Sequence, residues 1–305
     1  MRPSSVKLNR IVRGFAGKLL DFLTGVLEVF LHVKNENIET YQVSQFVGKV
    51  AIFSVYIQSE YGNDWEDVVD AILSSGYKVV VVNTGPVNIN YSKKNVHIVN
   101  RRNRGRDIAS YGIGLKIIEI EKCESLVLIN DSIIWNSKYV TKILKSAYLE
   151  SMTIYGLTMS LQKNKHLQTY FLVFPKDVFS ATKYFMDLPE FRFKRTVVRR
   201  GELGASMHWT KLNFSILPIL DYNDLEIGTL TKTGLSEYDR NKLANLCNDG
   251  IFLNPTIHFW PEFFRQTGCL KKSIPEQNPA HYAIYPDSVE SARRMAGNEN
   301  LRNFV

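Results

Sequence analysis

The run Asn103-Arg104-Gly105-Arg106-Asp107-Ile108-Ala109-Ser110-Tyr111 sets arginines, a glycine and an aspartate where a loop turns into a helix. Farther along, Leu128-Ile129-Asn130-Asp131-Ser132 ends an apolar run in a polar triplet with one acid at its centre. Arginines and the free N–H groups of a helix start suit a pyrophosphate, because guanidinium forks and backbone donors both match phosphate oxygens. A carboxylate at a strand end suits a sugar hydroxyl or a divalent cation. Two such loops at neighbouring strand ends can face one ligand. Their combined chemistry is that of a nucleotide-sugar site.

Strands and helices must position those loops. Residues 50–57 are β-rich and read as a buried strand. Asn63 or Asp64 can cap a helix reaching Ser75, and Gly76 ends it before a second strand at 77–82. Asn83-Thr84-Gly85-Pro86 is a turn, and 96–99 is a short third strand. A helix at 107–120, a fourth strand at 126–129 and a helix at 138–149 complete the first half. This alternation predicts an α/β, Rossmann-like fold: a mostly parallel sheet with crossovers, flanked by helices. In such sheets ligands gather at the carboxyl ends of the strands. Asn83, Arg104, Arg106, Asp107, Asn130, Asp131 and Ser132 all fall at or just beyond those ends.

The second half is more mixed. Strands are expected at 153–159 and 169–174 with a turn at 162–165, helices at 175–186 and 202–210, and a strand at 214–219. Residues 221–250 are polar and carry no firm assignment, and Asn254-Pro255 opens a segment rich in aromatics. No G-x-G-x-x-G comes after the first strand, where the chain reads Gln58-Ser59-Glu60-Tyr61-Gly62-Asn63. That argues against a nicotinamide dehydrogenase. The P-loop and nucleophile-elbow patterns are missing too, against an NTPase or an α/β-hydrolase.

Composition narrows the class further. The 305 residues can bury a large core without staples. Cys123, Cys247 and Cys269 are odd in number and lack CxxC spacing, so they read as free thiols in a reducing compartment. The net charge of +8 comes from short groups: Arg101, Arg102, Arg104 and Arg106; Lys194, Arg195, Arg199 and Arg200; Lys271 and Lys272. A nucleic-acid surface would show a basic stripe with interleaved aromatics, so nucleic acid is not the expected partner. Anionic headgroups and a pyrophosphate explain the clusters as well.

Residues 1–48 form a segment of their own. Leu8, Ile11, Phe15, Leu19, Phe22, Val26, Phe30 and Val33 recur at steps of three and four, giving one continuous helical face. Arg10, Arg13, Lys18, Asp21 and Glu28 interrupt the segment, so it is neither a secretory signal nor a membrane span. The amphipathic helix either docks on the protein's own core or lies on the membrane surface. A domain at 49–284 and a polar tail at 285–305 complete the expected organisation.

The chain resembles the rhamnan synthesis F family of bacterial polysaccharide glycosyltransferases. The resemblance rests on 103–111, Leu128 to Trp135, His166-Leu167-Gln168-Thr169-Tyr170-Phe171, Glu202-Leu203-Gly204-Ala205-Ser206 and Asn254-Pro255-Thr256, in that order. It implies a GT-A type fold and transfer of a sugar, rhamnose as the best single guess, from a nucleoside-diphosphate sugar. The acceptor would be a growing cell-surface polysaccharide or a lipid-linked glycan, met at the cytoplasmic face of the plasma membrane. The non-enzyme alternative is a nucleotide-sugar or glycan-binding module that kept the fold and lost turnover.

Such a transfer needs the diphosphate neutralised, the sugar held and, for inversion, the acceptor hydroxyl deprotonated by a carboxylate. Arg104 and Arg106 are candidates for the first task, unless they only form a solvated basic loop. Asp107 caps its helix or, by the resemblance, lies at the donor site. Asn130-Asp131-Ser132 stands where GT-A enzymes carry an acidic motif, here with one acid instead of two. Mg²⁺ or Mn²⁺ would therefore need Asp131 plus another ligand, for which His258 is the loose candidate beside its reading as a packed core residue. Glu202 is either a first-turn glutamate favoured by the helix dipole or the general base, with Asp224 and Glu226 as the next candidates. By the resemblance His166 and Gln168 border the donor sugar; His166 otherwise reads as a turn residue.

Overall fold

The structure, a computed structural model, describes residues 46–58, 65–146, 148, 150–249 and 253–282. The amphipathic face at 8–33, the Asn63 or Asp64 cap and the tail at 285–305 lie outside the described residues.

A central mixed sheet organises the rest. Strand β1 (Gly48–Val55) lies between β2 (Lys78–Asn83) and β4 (Cys123–Asn130), parallel to both, and β3 (Val96–Asn100) adds to β2, also parallel. Beyond β4 the order continues to β8 (Phe171–Pro175) and then β6 (Thr153–Ser160). Only β8 runs against both of its neighbours, β4 and β6. The short β7 (His166–Leu167) pairs antiparallel with β6, and β9 (Ser215–Leu220) pairs parallel with it. A two-stranded antiparallel ribbon, β5 (Ile133–Ile134) with β10 (Leu270–Lys271), stands apart. The protein is thus α/β, with a mostly parallel mixed sheet flanked by helices.

The period of two in each strand divides the core. Ala51, Phe53 and Val55 of β1, Val79 and Val81 of β2, and Val127 and Ile129 of β4 join one apolar cluster. Their neighbours Val50, Ile52, Val80, Val82, Leu126 and Leu128 join the other. Because successive strand side chains point to opposite faces, a sheet buried on both faces reads as unbroken apolar runs. Helices α1 (Trp65–Ser74) and α3 (Ser137–Leu144) cover the first face through Val69, Ile72, Val140 and Ile143. Helix α2 (Arg106–Ile117) covers the second through Ile108, Tyr111 and Leu115, with Phe185 of α4 (Lys183–Asp187) and Trp209 of α6 (Gly204–Lys211).

Several boundaries differ from the sequence reading. The helix expected at 175–186 begins as a 3₁₀ segment, Lys176–Thr182, and only then becomes α4. The helix expected to start at Glu202 continues from α5 (Lys194–Thr196) through a π-helical segment, Val197–Leu203, into α6. Glu202 is therefore mid-helix, so a first-turn dipole does not account for it. The unassigned polar stretch holds α7 (Tyr222–Lys232) and α8 (Glu237–Asn248), capped by the side chains of Asp221 and Ser236. Asn254 caps α9 (Pro255–His258), with α10 (Trp260–Thr267) next and, after β10, α11 (Ser273–Gln277). Cys123 and Cys269 are buried, Cys247 partly so, and all three are free thiols.

Candidate functional site

A cleft of about 950 Å³ opens at the carboxyl ends of β1 and β4. Arg106, Asp107, Asn130, Asp131, Ser132 and Glu202 line it, joined by Tyr56, Thr169, Lys194, Lys271 and Lys272.

The floor is a hydrogen-bonded frame. Asn130 ends β4, and its Nδ2 donates to Asp107 Oδ2 at 2.7 Å, joining strand end to helix start. Its Oδ1 accepts from the Ser132 amide at 3.0 Å and the Ser132 hydroxyl at 2.6 Å, turning the chain back over the sheet. The amide of Asp131 donates to Ser54 O at 3.1 Å, and Asp131 Oδ2 accepts from the Tyr56 amide at 3.0 Å. Lys272 Nζ donates to the same Oδ2 at 2.9 Å.

The arginine-rich loop reaches the cleft through an unusual turn. Gly105 and Arg106 both have left-handed backbones, with φ of 68° and 55°. A Cβ on Gly105 would lie 2.5 Å from the Ala109 Cβ, so this position admits only glycine. Arg106 has no such freedom, and a left-handed non-glycine residue at a ligand site is where stored backbone strain is found. Gly105 is the N-cap and has no side chain to offer, and the Asp107 carboxylate accepts from the backbone amides of Asp107 and Ile108 at the helix start, the capping role expected of it. The same carboxylate also meets Asn130. Burial pushes the Asp107 carboxyl up to about 6, with the charges of Glu202 and Asp131 adding to the effect.

Glu202 stands opposite. Its Oε1 accepts from the Thr169 amide at 3.4 Å. Gly201 brings the π segment against α2, since a Cβ there would lie 2.5 Å from Ile108 Cγ1. Burial lowers the Lys271 ammonium below its ordinary value; the carboxylates of Glu202 and Asp107 oppose that, and Lys194 adds to it.

Other expected site residues lie elsewhere. Asn83 is fully buried and spends its amide on the frame. Its Nδ2 donates to Val87 O at 2.6 Å and Asn100 Oδ1 at 2.9 Å, and its Oδ1 accepts from the Gly85 amide at 2.9 Å. Gln168 is buried and accepts from Thr158 Oγ1 at 2.8 Å, while His166 Nδ1 meets Asn164 O at 2.7 Å. Those two tie β7 to its surroundings, and the next residues, Thr169 and Tyr170, are the ones that line the cleft. Arg104 lies in the loop, where its carbonyl accepts from Arg101 Nη1 at 2.9 Å, and it does not line the cleft. Asp224 and Glu226 sit on α7, away from the lining.

The expected metal pair is not brought together. Asp131 lines the cleft, whereas His258 does not. Its Nδ1 meets Asn254 O at 3.2 Å, and partial burial lowers its pKa. Among the described residues no group of three or more His, Cys, Asp or Glu side chains is placed to hold a metal ion. In the sequence Lys194, Lys271 and Lys272 stand out only as members of basic clusters, since nothing in their spacing links them to Asp131 or Glu202.

No family model matches the chain. The uncharacterized protein y4gN of Sinorhizobium fredii (strain NBRC 101917 / NGR234) is 26% identical over 167 residues, 50% of this chain and 44% of that protein. The match thus spans less than half of that relative's length.

Proposed function

We propose that the protein is a glycosyltransferase of GT-A type that moves a sugar from a nucleoside-diphosphate sugar to a glycan or lipid-linked acceptor. One observation carries this reading: three stretches far apart in sequence, 103–111, 128–135 and the turn around Glu202, supply side chains to a single cleft at strand carboxyl ends. The cleft joins cations suited to a diphosphate with a carboxylate suited to deprotonating a hydroxyl. The mixed α/β sheet is compatible with the fold. The resemblance alone names rhamnose.

The proposed reaction is an inverting displacement. The acceptor oxygen attacks the anomeric carbon as its proton passes to Glu202, and the bond to the diphosphate oxygen breaks with its electron pair leaving on the diphosphate. Arg106 neutralises part of that charge. Calorimetric titration with dTDP-, UDP- and GDP-sugars and their free diphosphates tests the donor. Absence of binding by the whole panel would sink the reading. Glu202→Gln keeps the side chain's shape, so donor binding should persist while transfer falls by about 10²–10⁴-fold. Donor binding without any turnover by the wild-type protein would favour the inactive binding module.

A further inference from the structure

A GT-A enzyme is commonly expected to hold a divalent cation at its strand-end acid, and the residues here do not fit one. Asp131 is the single acid of its triplet, and its Oδ2 already accepts from the Tyr56 amide at 3.0 Å and from Lys272 Nζ at 2.9 Å. A hard dication needs several oxygen ligands, and among the described residues no group of three or more His, Cys, Asp or Glu side chains is placed to supply them. His258 lies outside the cleft lining. We infer that Lys272 and Lys271 form the diphosphate-binding site of this cleft in place of a metal, with Asp131 as the positioning residue for Lys272. The inference rests on the glycosyl-transfer reading and deepens it.

The delivery of these lysines is built into the fold. They come from the far end of the chain, carried by β10, which pairs with β5 just beyond the Asn130-Asp131-Ser132 turn. Lys271 is in register with Ile133, and the Lys272 amide donates to Ser132 O at 3.0 Å. The ribbon therefore fixes both backbones beside the acid. Lys271 and Lys272 line the cleft with Arg106 and Lys194, so four cationic side chains face a space that also holds Asp107, Asp131 and Glu202. The Lys272–Asp131 pair is part-exposed, at 45% and 25% side-chain exposure. Such a pair is held weakly, so the ammonium can turn to an incoming phosphate oxygen at little cost. No proton needs to move: the electron pair released on the diphosphate is met by ammonium donors in charge-assisted hydrogen bonds.

The test is calorimetric binding of dTDP, UDP, GDP and inorganic pyrophosphate to the full chain, in EDTA and again with Mg²⁺ or Mn²⁺. The expected result is binding of at least one nucleoside diphosphate with equal affinity in both media. Lys272→Met should weaken it by about ten- to a hundred-fold, the loss of one charged hydrogen bond, and Lys272→Arg should recover part of the loss. Asp131→Asn should alter affinity to the same degree with and without metal. Binding that needs Mg²⁺ or Mn²⁺ and ignores Lys272→Met overturns the inference while leaving the donor reading intact. Failure of all four probes in both media overturns this inference, and the donor reading falls with it only if the nucleotide sugars fail to bind as well. The comparison of media uses the wild-type protein, so it decides the matter even if a lysine variant folds poorly.

Discussion

Asp107 is held between a donor and like charges. Asn130 Nδ2 donates to its carboxylate at 2.7 Å, while burial, then Glu202, push the carboxyl from an ordinary 3.8 up to about 6. Between about 4 and about 6 the folded protein keeps a proton that the unfolded chain has released, so this group makes stability fall as pH rises through that window. Above about 6 both states are ionised and the loss is complete. Asp107→Asn removes the effect, so the variant should gain on the wild type as pH rises across the window and hold that gain above it. Thermal melts of the two proteins at matched pH values check this. A constant difference between them would mean that Asp107 titrates as an ordinary surface acid.

At the scale of elements, the π segment Val197–Leu203 is what aims Glu202 into the cleft. A π turn inserts one residue into a helix and rotates the turns beyond it, and such insertions recur at functional sites. Here the turn is packed on α2 through Gly201, with no room for a Cβ against Ile108. Gly201→Ala should cost roughly 1–3 kcal/mol of stability, as overpacking does. It should also reduce transfer more than donor binding, because Glu202 moves while Arg106 and Lys272 stay. Denaturant unfolding combined with turnover and calorimetry checks both halves. Unchanged transfer in a destabilised protein would separate the π turn from catalysis.

At the scale of the whole molecule, the net charge of +8 and the amphipathic run at 8–33 bear on where the protein works. Among the described residues no helix is long and apolar enough to cross a membrane. The proposed location is peripheral, on the cytoplasmic face of the bacterial plasma membrane, where a lipid-linked acceptor would be presented. An apolar helical face supplies buried area, and basic residues near an anionic surface add about 1 kcal/mol each. The full chain should therefore float with anionic liposomes, and a Phe15→Glu, Phe22→Glu double variant should float much less. Equal flotation of the two would assign that face to the protein's own core.

The sequence by itself determined the alternation of apolar runs and helices in the first half, and hence the sheet and the end at which its cleft opens. A strand buried on both faces leaves an unbroken apolar signature, and β1, β2 and β4 each carry one. It also marked Arg106, Asp107, Asn130, Asp131, Ser132 and Glu202, all of which reach one cleft. It could not separate them from Asn83, His166 and Gln168, because a polar side chain at a strand end looks the same whether it faces the cleft or braces the frame. Only the tertiary structure decided that. Helices α7 and α8 were illegible because their buried residues are few and their polar faces wide. Lys271 and Lys272 were illegible as site residues for another reason. Their place beside Asp131 and Glu202 comes from the pairing of β10 with β5, a long-range contact that leaves no local period in the chain.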